Sequence, residues 1–159
     1  MKAAKVLVVG AAEAGKSTLV RVLTSNSVNL ERGGRTVALD HGTLPVGATD
    51  VSLIGIPGQE RFAAVREALA ARAAGAVWVL AANRDPDPGT LELLERLGPS
   101  VPYVVLVNLR DGESRDPRFA APAPLRPPLE VVAGDLLHDP YTRERLRWAI
   151  SRLLHTNAH

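Results

Sequence analysis

The stretch Gly10-Ala11-Ala12-Glu13-Ala14-Gly15-Lys16-Ser17 decides how the rest of this chain is read. It satisfies G-x-x-x-x-G-K-[ST] at every fixed position, the pattern of a loop that cradles phosphate. Its flanks are those such a loop needs. Lys5-Val6-Leu7-Val8-Val9 reads as a buried strand, and Ser17-Thr18-Leu19-Val20-Arg21-Val22-Leu23 as the start of a helix. Between strand and helix, the two glycines let the backbone wrap closely, so that its N–H groups converge on phosphate oxygens. Lys16 is expected to reach the β- and γ-phosphates, the Ser17 hydroxyl to bind Mg²⁺, and the helix N-terminus to add its positive end. The candidate nucleotide contacts here are Gly10, Ala11, Glu13, Ala14, Gly15, Lys16, Ser17 and Thr18. The Glu13 side chain is expected to point to solvent, because a carboxylate aimed at phosphate would repel it.

Composition narrows the class. The chain has 159 residues, read as one domain spanning 1–159, with 46% apolar and 23% charged residues, as in ordinary globular proteins. A net charge of +2 is too small to imply a nucleic-acid partner. Without cysteine there is no disulfide framework, no zinc ribbon and no thiol for a lipid anchor. His41, His138, His155 and His159 lack metal-ligand spacing. No apolar run reaches the length of a membrane span and no signal peptide is recognisable, so a cytoplasmic protein without a direct membrane anchor is expected.

Beyond the first helix, 25–35 is polar, holds Gly33 and Gly34, shows no period and reads as a long mobile loop. Thr36-Val37-Ala38-Leu39 starts a second strand. Pro45-Val46-Gly47-Ala48 reads as a turn into a third, Thr49 to Ile56, and the two make a hairpin. An Ala-rich helix is expected over 62–73, then a doubly covered strand over 75–81 and a short helix over 90–97. Strands follow over 101–107 and 129–132, and Asp139-Pro140 caps a last helix whose face is Leu146, Ile150, Leu153 and Leu154. Arg143, Arg145, Arg147 and Arg152 read as that helix's solvated side. The segment 110–128 holds five prolines and reads as an irregular loop. The whole predicts an α/β fold with a mostly parallel sheet of about six strands, one antiparallel hairpin, and helices on both faces.

Four further stretches decide which kind of phosphate protein this is. Asn108-Leu109-Arg110-Asp111 stands at the end of a buried strand, and Gly55-Ile56-Pro57-Gly58-Gln59-Glu60 at the end of the hairpin. Arg35-Thr36-Val37-Ala38-Leu39-Asp40 follows the long loop, and Ala133-Gly134-Asp135 follows the last strand. The first resembles the base-reading Asn-Lys-x-Asp of small GTPases, with Leu109 in place of lysine. A carboxylate at Asp111 suits the paired donors of guanine, and adenine lacks that pair. The second resembles switch II of Ras-like GTPases, Asp-x-x-Gly-Gln-Glu, with Gly55 where the Mg²⁺-supporting Asp normally stands. Bacterial GTPases of the MglA type likewise lack that Asp and have Pro-Gly-Gln, and the chain resembles that branch.

The resemblance implies a three-layer P-loop NTPase fold, the small G domain, binding GTP or GDP with Mg²⁺. It implies that Gly58 meets the γ-phosphate, that Gln59 orients the attacking water, and that Lys16 and Arg35 stabilise charge, Arg35 as an arginine finger within the chain. Thr36 matches the switch I threonine and joins Ser17 at the metal. Asp40 is inferred to stand in for the carboxylate missing at Gly55. Asn108, Leu109, Asp111, Ala133 and Gly134 would surround the base. A small dimeric Roadblock/LC7-type protein is the implied partner. Three functions stay open on the residues: a slow GTP-hydrolysing switch, a guanine-nucleotide-binding module that barely hydrolyses, and a P-loop kinase or ATPase, which the prolines of 110–128 fit poorly.

Overall fold

Alternation inside the continuous apolar runs builds two cores on one sheet. In the computed structural model, which describes residues 2–11, 13–24, 28–32, 35–56, 72–82, 86–109, 119, 121–122 and 125–156 (backbone alone for 28–32 and 35–39), the element order begins with β1 (Lys2–Val9), α1 (Lys16–Leu23) and β2 (Val28–Arg32). It continues through β3 (Arg35–Val46), β4 (Thr49–Gly55), β5 (Gly75–Ala81) and α2 (Pro88–Leu97), and closes with β6 (Tyr103–Asn108), β7 (Val131–Gly134) and α3 (Pro140–Thr156). Val6 and Val8 of β1 join one apolar cluster, Leu7 and Val9 the other, and all four are buried. A strand buried on both faces has no polar alternate positions, which is why Val6–Val9 of β1, all of β5 and Tyr103–Val107 of β6 read as unbroken apolar runs.

Helices supply the two outer layers. Leu19, Val20 and Leu23 of α1 share the first cluster with Leu146, Ile150 and Leu153 of α3, so these helices cover one face. Leu93 and Leu94 of α2 cover the other. There Trp78 is fully buried, with Phe119 edge-on at 5.4 Å between ring centres. Each such large side chain removed from water contributes about 1.5–3 kcal/mol. No helix among the described residues is long and apolar enough to cross a membrane.

The sheet has seven strands in the order β2-β3-β4-β1-β5-β6-β7. β1 pairs in parallel with β4 and β5, β5 with β6, and β6 with β7. The α/β, mostly parallel architecture is therefore as the sequence predicts. The stretch expected to be a loop departs from it. Val28–Arg32 is a strand, antiparallel to β3, and β3 is in turn antiparallel to β4. Val28-Asn29-Leu30-Glu31 alternates apolar and polar residues, but the run is short, and pairing with the β3 edge completes it as a strand. The hairpin turn is also shorter than expected. Pro45 and Val46 remain in β3, and Gly47 (φ 59°) and Ala48 alone turn the chain, glycine standing where a tight hairpin needs a left-handed residue. Of the expected helix over 62–73 all but the last two residues lie outside the described residues, as does most of 110–128.

Candidate nucleotide-binding site

The phosphate loop leaves the carboxyl end of the central strand, β1, at the point where the chain crosses from β4 on one side of it to β5 on the other. Ligands of open α/β sheets bind at such a reversal. Gly10 (φ 150°) and Gly15 (φ 116°) take backbone conformations that L side chains rarely adopt. Each also lacks room: a Cβ would come 2.5 Å from the Val79 carbonyl oxygen at Gly10, and 2.7 Å from Asn108 Nδ2 at Gly15. The glycines thus serve the loop's seat on the sheet as well as its shape. Glu13 is exposed, as expected, and is a non-glycine residue held at φ 65°.

Lys16 folds back over this loop. Its ammonium donates to the carbonyl oxygens of Gly10 (2.6 Å) and Ala11 (3.2 Å). Burial lowers its pKa from the ordinary 10.5, and the negative charges of Asp87 and Asp40 act against that shift. Asp87 went unnoticed in the sequence. It caps α2, accepting the Thr90 N–H at 3.1 Å, and its second oxygen Oδ1 is buried without a hydrogen-bond partner. The signal was there: Asp87-Pro88 repeats the cap-then-proline pattern of Asp139-Pro140.

Ser17, the first residue expected at the metal, donates its hydroxyl hydrogen bond to Asp40 Oδ2. Asp40 is brought there by the hairpin. The pair His41–Ile54 is in register, so Asp40 lies opposite Gly55 one step further along. A Cβ built on Gly55 would meet Asp40 Cβ at 3.3 Å and Oδ2 at 3.7 Å. Asp40 therefore lies on β3 beside the side-chain-free position of Gly55 on β4. Thr36 is not brought to this point. It sits four residues along β3 from Asp40, about 13 Å in an extended strand, and Arg35 one residue further, both in the paired hairpin rather than in a loop.

The side expected to hold the base is assembled from β6 and β7. Asn108 is buried, donates to the Ala14 carbonyl (3.4 Å) and accepts the Leu136 N–H (3.4 Å), tying the phosphate loop to the turn after β7. The Leu109 N–H donates to the Gly134 carbonyl at 2.9 Å. Leu109 corrects one expectation. Its side chain is 7% exposed and belongs to the second core, so it is packed away instead of lying open to a base. Thr142 abuts Gly134, where a Cβ would come 2.0 Å from its hydroxyl oxygen. The Asp135 carboxylate accepts the Leu137 and His138 N–H groups, both at 3.1 Å, which holds the turn Ala133-Gly134-Asp135 in shape. Gly58, Gln59 and Asp111 lie outside the described residues. Ile56 still donates to the Val8 carbonyl at 2.9 Å, so the chain leaves β4 beside the start of the phosphate loop.

A family model described as 50S ribosome-binding GTPase matches residues 5–109, from β1 to the Asn108 corner. The chain belongs to this GTPase family. The uncharacterized protein MJ1339 of Methanocaldococcus jannaschii is 33% identical over 110 residues, 67% of this chain and 70% of that one. Among solved structures, a bacterial selenocysteine-specific elongation factor, EF-Sec, superposes with a TM-score of 0.70 at 19% identity over 98% of this chain. The chain spans 29% of that elongation factor's length. The G domain of the T. maritima FeoB iron transporter superposes with a TM-score of 0.66 at 19% identity, over 95% of this chain and 98% of the domain. Both likenesses are of fold. The GTPase family's activity is binding and hydrolysis of GTP, typically with Mg²⁺.

The residues present fit such an ion. Ser17 and Asp40 put a hydroxyl and a carboxylate oxygen together at the mouth of the GTPase phosphate loop. Among the described residues no group of three or more His, Asp or Glu side chains stands ready as a cage. Mg²⁺ asks for no more: it keeps several waters and takes one or two protein oxygens plus phosphate.

Proposed function

We propose that this chain, over 1–159, is a small G domain of the MglA-type branch that binds GTP with Mg²⁺, hydrolyses it slowly to GDP and signals through loop conformation. One observation carries the reading: Asn108 joins the phosphate loop to the turn after β7 at one end of the sheet. Phosphate and base sites would then form one continuous surface. Mg²⁺, when bound, neutralises charge on the phosphates; Ser17 and Asp40 would hold it, with Thr36 joining when 35–39 swings inward. Lys16 would exchange the Gly10 and Ala11 carbonyls for phosphate oxygens. Gln59 would orient water, Arg35 would stabilise developing charge, and Asp111 would select guanine. Because Thr36 and Arg35 start in a paired hairpin, hydrolysis is slow until a partner, by resemblance a Roadblock/LC7-type dimer, favours the closed arrangement. The absence of a long apolar helix among the described residues is in keeping with a cytoplasmic setting.

The test starts from the nucleotide that copurifies with the protein, then compares GTP with ATP binding in the parent and in Asp111→Ala. A guanine preference that Asp111→Ala leaves intact, or a preference for ATP, overturns the reading. A second reading, a binding module that hardly hydrolyses, draws on the place of Thr36 four residues along β3 from Asp40. Single-turnover GTP hydrolysis separates the two. Gln59→Leu and Arg35→Ala slow the switch about 10-fold or more and leave the binding module unchanged.

A further inference from the structure

Asp87 carries a charge that its structural task does not need. It caps α2 through Oδ2, which accepts the Thr90 N–H at 3.1 Å. An N-cap asks only for such an acceptor, and asparagine or serine serves as well. The other oxygen, Oδ1, is buried without a hydrogen-bond partner. The topology says what lies near it. α2 connects the carboxyl end of β5 to the amino end of β6, its parallel neighbour. Its N-terminus therefore stands at the end of the sheet from which the phosphate loop leaves. There Gly10, the first residue of that loop, is pressed against β5, where a Cβ would come 2.5 Å from the Val79 carbonyl oxygen. The Lys16 ammonium folds back over the same loop and donates to the Gly10 and Ala11 carbonyls, which uses two of its three hydrogens. Burial lowers the Lys16 pKa, and of the two carboxylates that oppose this shift Asp87 acts more strongly than Asp40.

We infer that Asp87 is a positioning residue of the nucleotide site, whose carboxylate competes with phosphate for the Lys16 ammonium and so holds affinity down and release fast. The inference rests on the reading of this loop as a nucleotide site, and it concerns the phosphates rather than the base. Asp40 and Asp87 differ in what becomes of their charge. Asp40 accepts the Ser17 hydroxyl, at the point where a bound Mg²⁺ would neutralise it. Asp87 has no such counterpart: one oxygen takes a backbone N–H and the other takes nothing. Phosphates that reach Lys16 therefore meet a fixed negative charge that already holds the same ammonium. In a partly buried site that repulsion is weakly screened, and it grows with the charge of the ligand. It falls more heavily on a triphosphate than on a diphosphate, so Asp87 also sets how strongly the site favours one over the other.

Asp87→Asn and Asp87→Ser both remove the charge and keep the cap, so either one tests this on the full chain in Mg²⁺. Each should tighten GDP about threefold and a non-hydrolysable GTP analogue about fivefold, the size expected of one partly screened charge. Release of a fluorescent GDP should slow to match. The gain should shrink as ionic strength rises from about 0.05 M to about 0.5 M. A change in the cap alone would follow neither ligand charge nor salt. Unchanged affinity in both variants overturns the inference, as does weaker binding with or without Mg²⁺, or a gain equal for GDP and the GTP analogue at every ionic strength. A preference for ATP in the parent overturns the guanine reading instead, and the same comparison with ADP and a non-hydrolysable ATP analogue then decides the role of Asp87.

Discussion

Asp40 on β3 occupies the room that a side chain at Gly55 on β4 would take, and from there its carboxylate accepts the Ser17 hydroxyl. On the proposed reading this is a relocation, with Asp40 supporting the metal in place of the carboxylate absent at Gly55. Asp40→Ala should lower nucleotide affinity in Mg²⁺ by about 10-fold, the usual effect of removing a carboxylate that supports a metal site, and have little effect in EDTA. Gly55→Asp alone should also weaken binding, because two carboxylates then share one space. Joining Gly55→Asp to Asp40→Ala should recover part of the loss. Titration of a fluorescent GTP analogue with and without Mg²⁺ reads all three, and a double variant no better than Asp40→Ala would refute the relocation.

Lys16 should titrate below 10.5 and move upward when GDP binds. Burial disfavours its charged form, so between the lowered value and 10.5 the unfolded chain holds more protons than the folded one. Its contribution to stability is therefore unfavourable at neutral pH and is relieved as pH rises through that window. A phosphate beside the ammonium reverses the balance, and binding takes up a proton at alkaline pH. With only three lysines in the chain, carbon-13 NMR of the lysine Cε resonances follows Lys16 directly. A midpoint that GDP leaves unmoved would mean that the ammonium does not meet phosphate.

Glu13→Gly should stabilise the protein and slow nucleotide release. Holding a non-glycine residue at φ 65° costs roughly 1–2 kcal/mol. A carboxylate on the phosphate loop also repels the ligand. Glu13→Gln removes the charge and keeps the strain, so the two effects can be told apart. Urea unfolding should improve only in the glycine variant, and release of a fluorescent GDP should slow in both.

Asn108→Ala should cost about 1–3 kcal/mol in stability, because the buried Ala14 carbonyl and Leu136 N–H both lose their partner. It should weaken nucleotide binding as well, since the phosphate loop and the turn after β7 are no longer tied. Urea unfolding and GDP titration measure the two effects. A variant destabilised but unchanged in affinity would show that the tie serves the fold alone.

Much of this was legible in the chain. Short-range chemistry marked the phosphate loop and the cap at Asp139: particular residues at particular offsets, each satisfying its own neighbours. The doubly covered strands were legible because a face with no solvent leaves no polar position. Val28–Arg32 was missed, because its short alternation is set in a polar stretch and its pairing partner, the edge of β3, comes later in the chain. Leu109 misled for a related cause. Its place in the family motif suggested the base, but the parity of β6 turns it into the second core beside Val107.

The sequence by itself determined the phosphate loop, the α/β class and the carboxylate missing at Gly55, since each is local along the chain. Only the tertiary structure decided that Asp40 stands opposite Gly55 and accepts the Ser17 hydroxyl. The two positions are fifteen residues apart, and they meet because the chain turns on Gly47 and Ala48 alone. A turn of the four residues first expected would change which residue opposes Gly55. In an antiparallel pair the length of the turn sets every contact beyond it, and that length is chosen by the packing of the whole sheet.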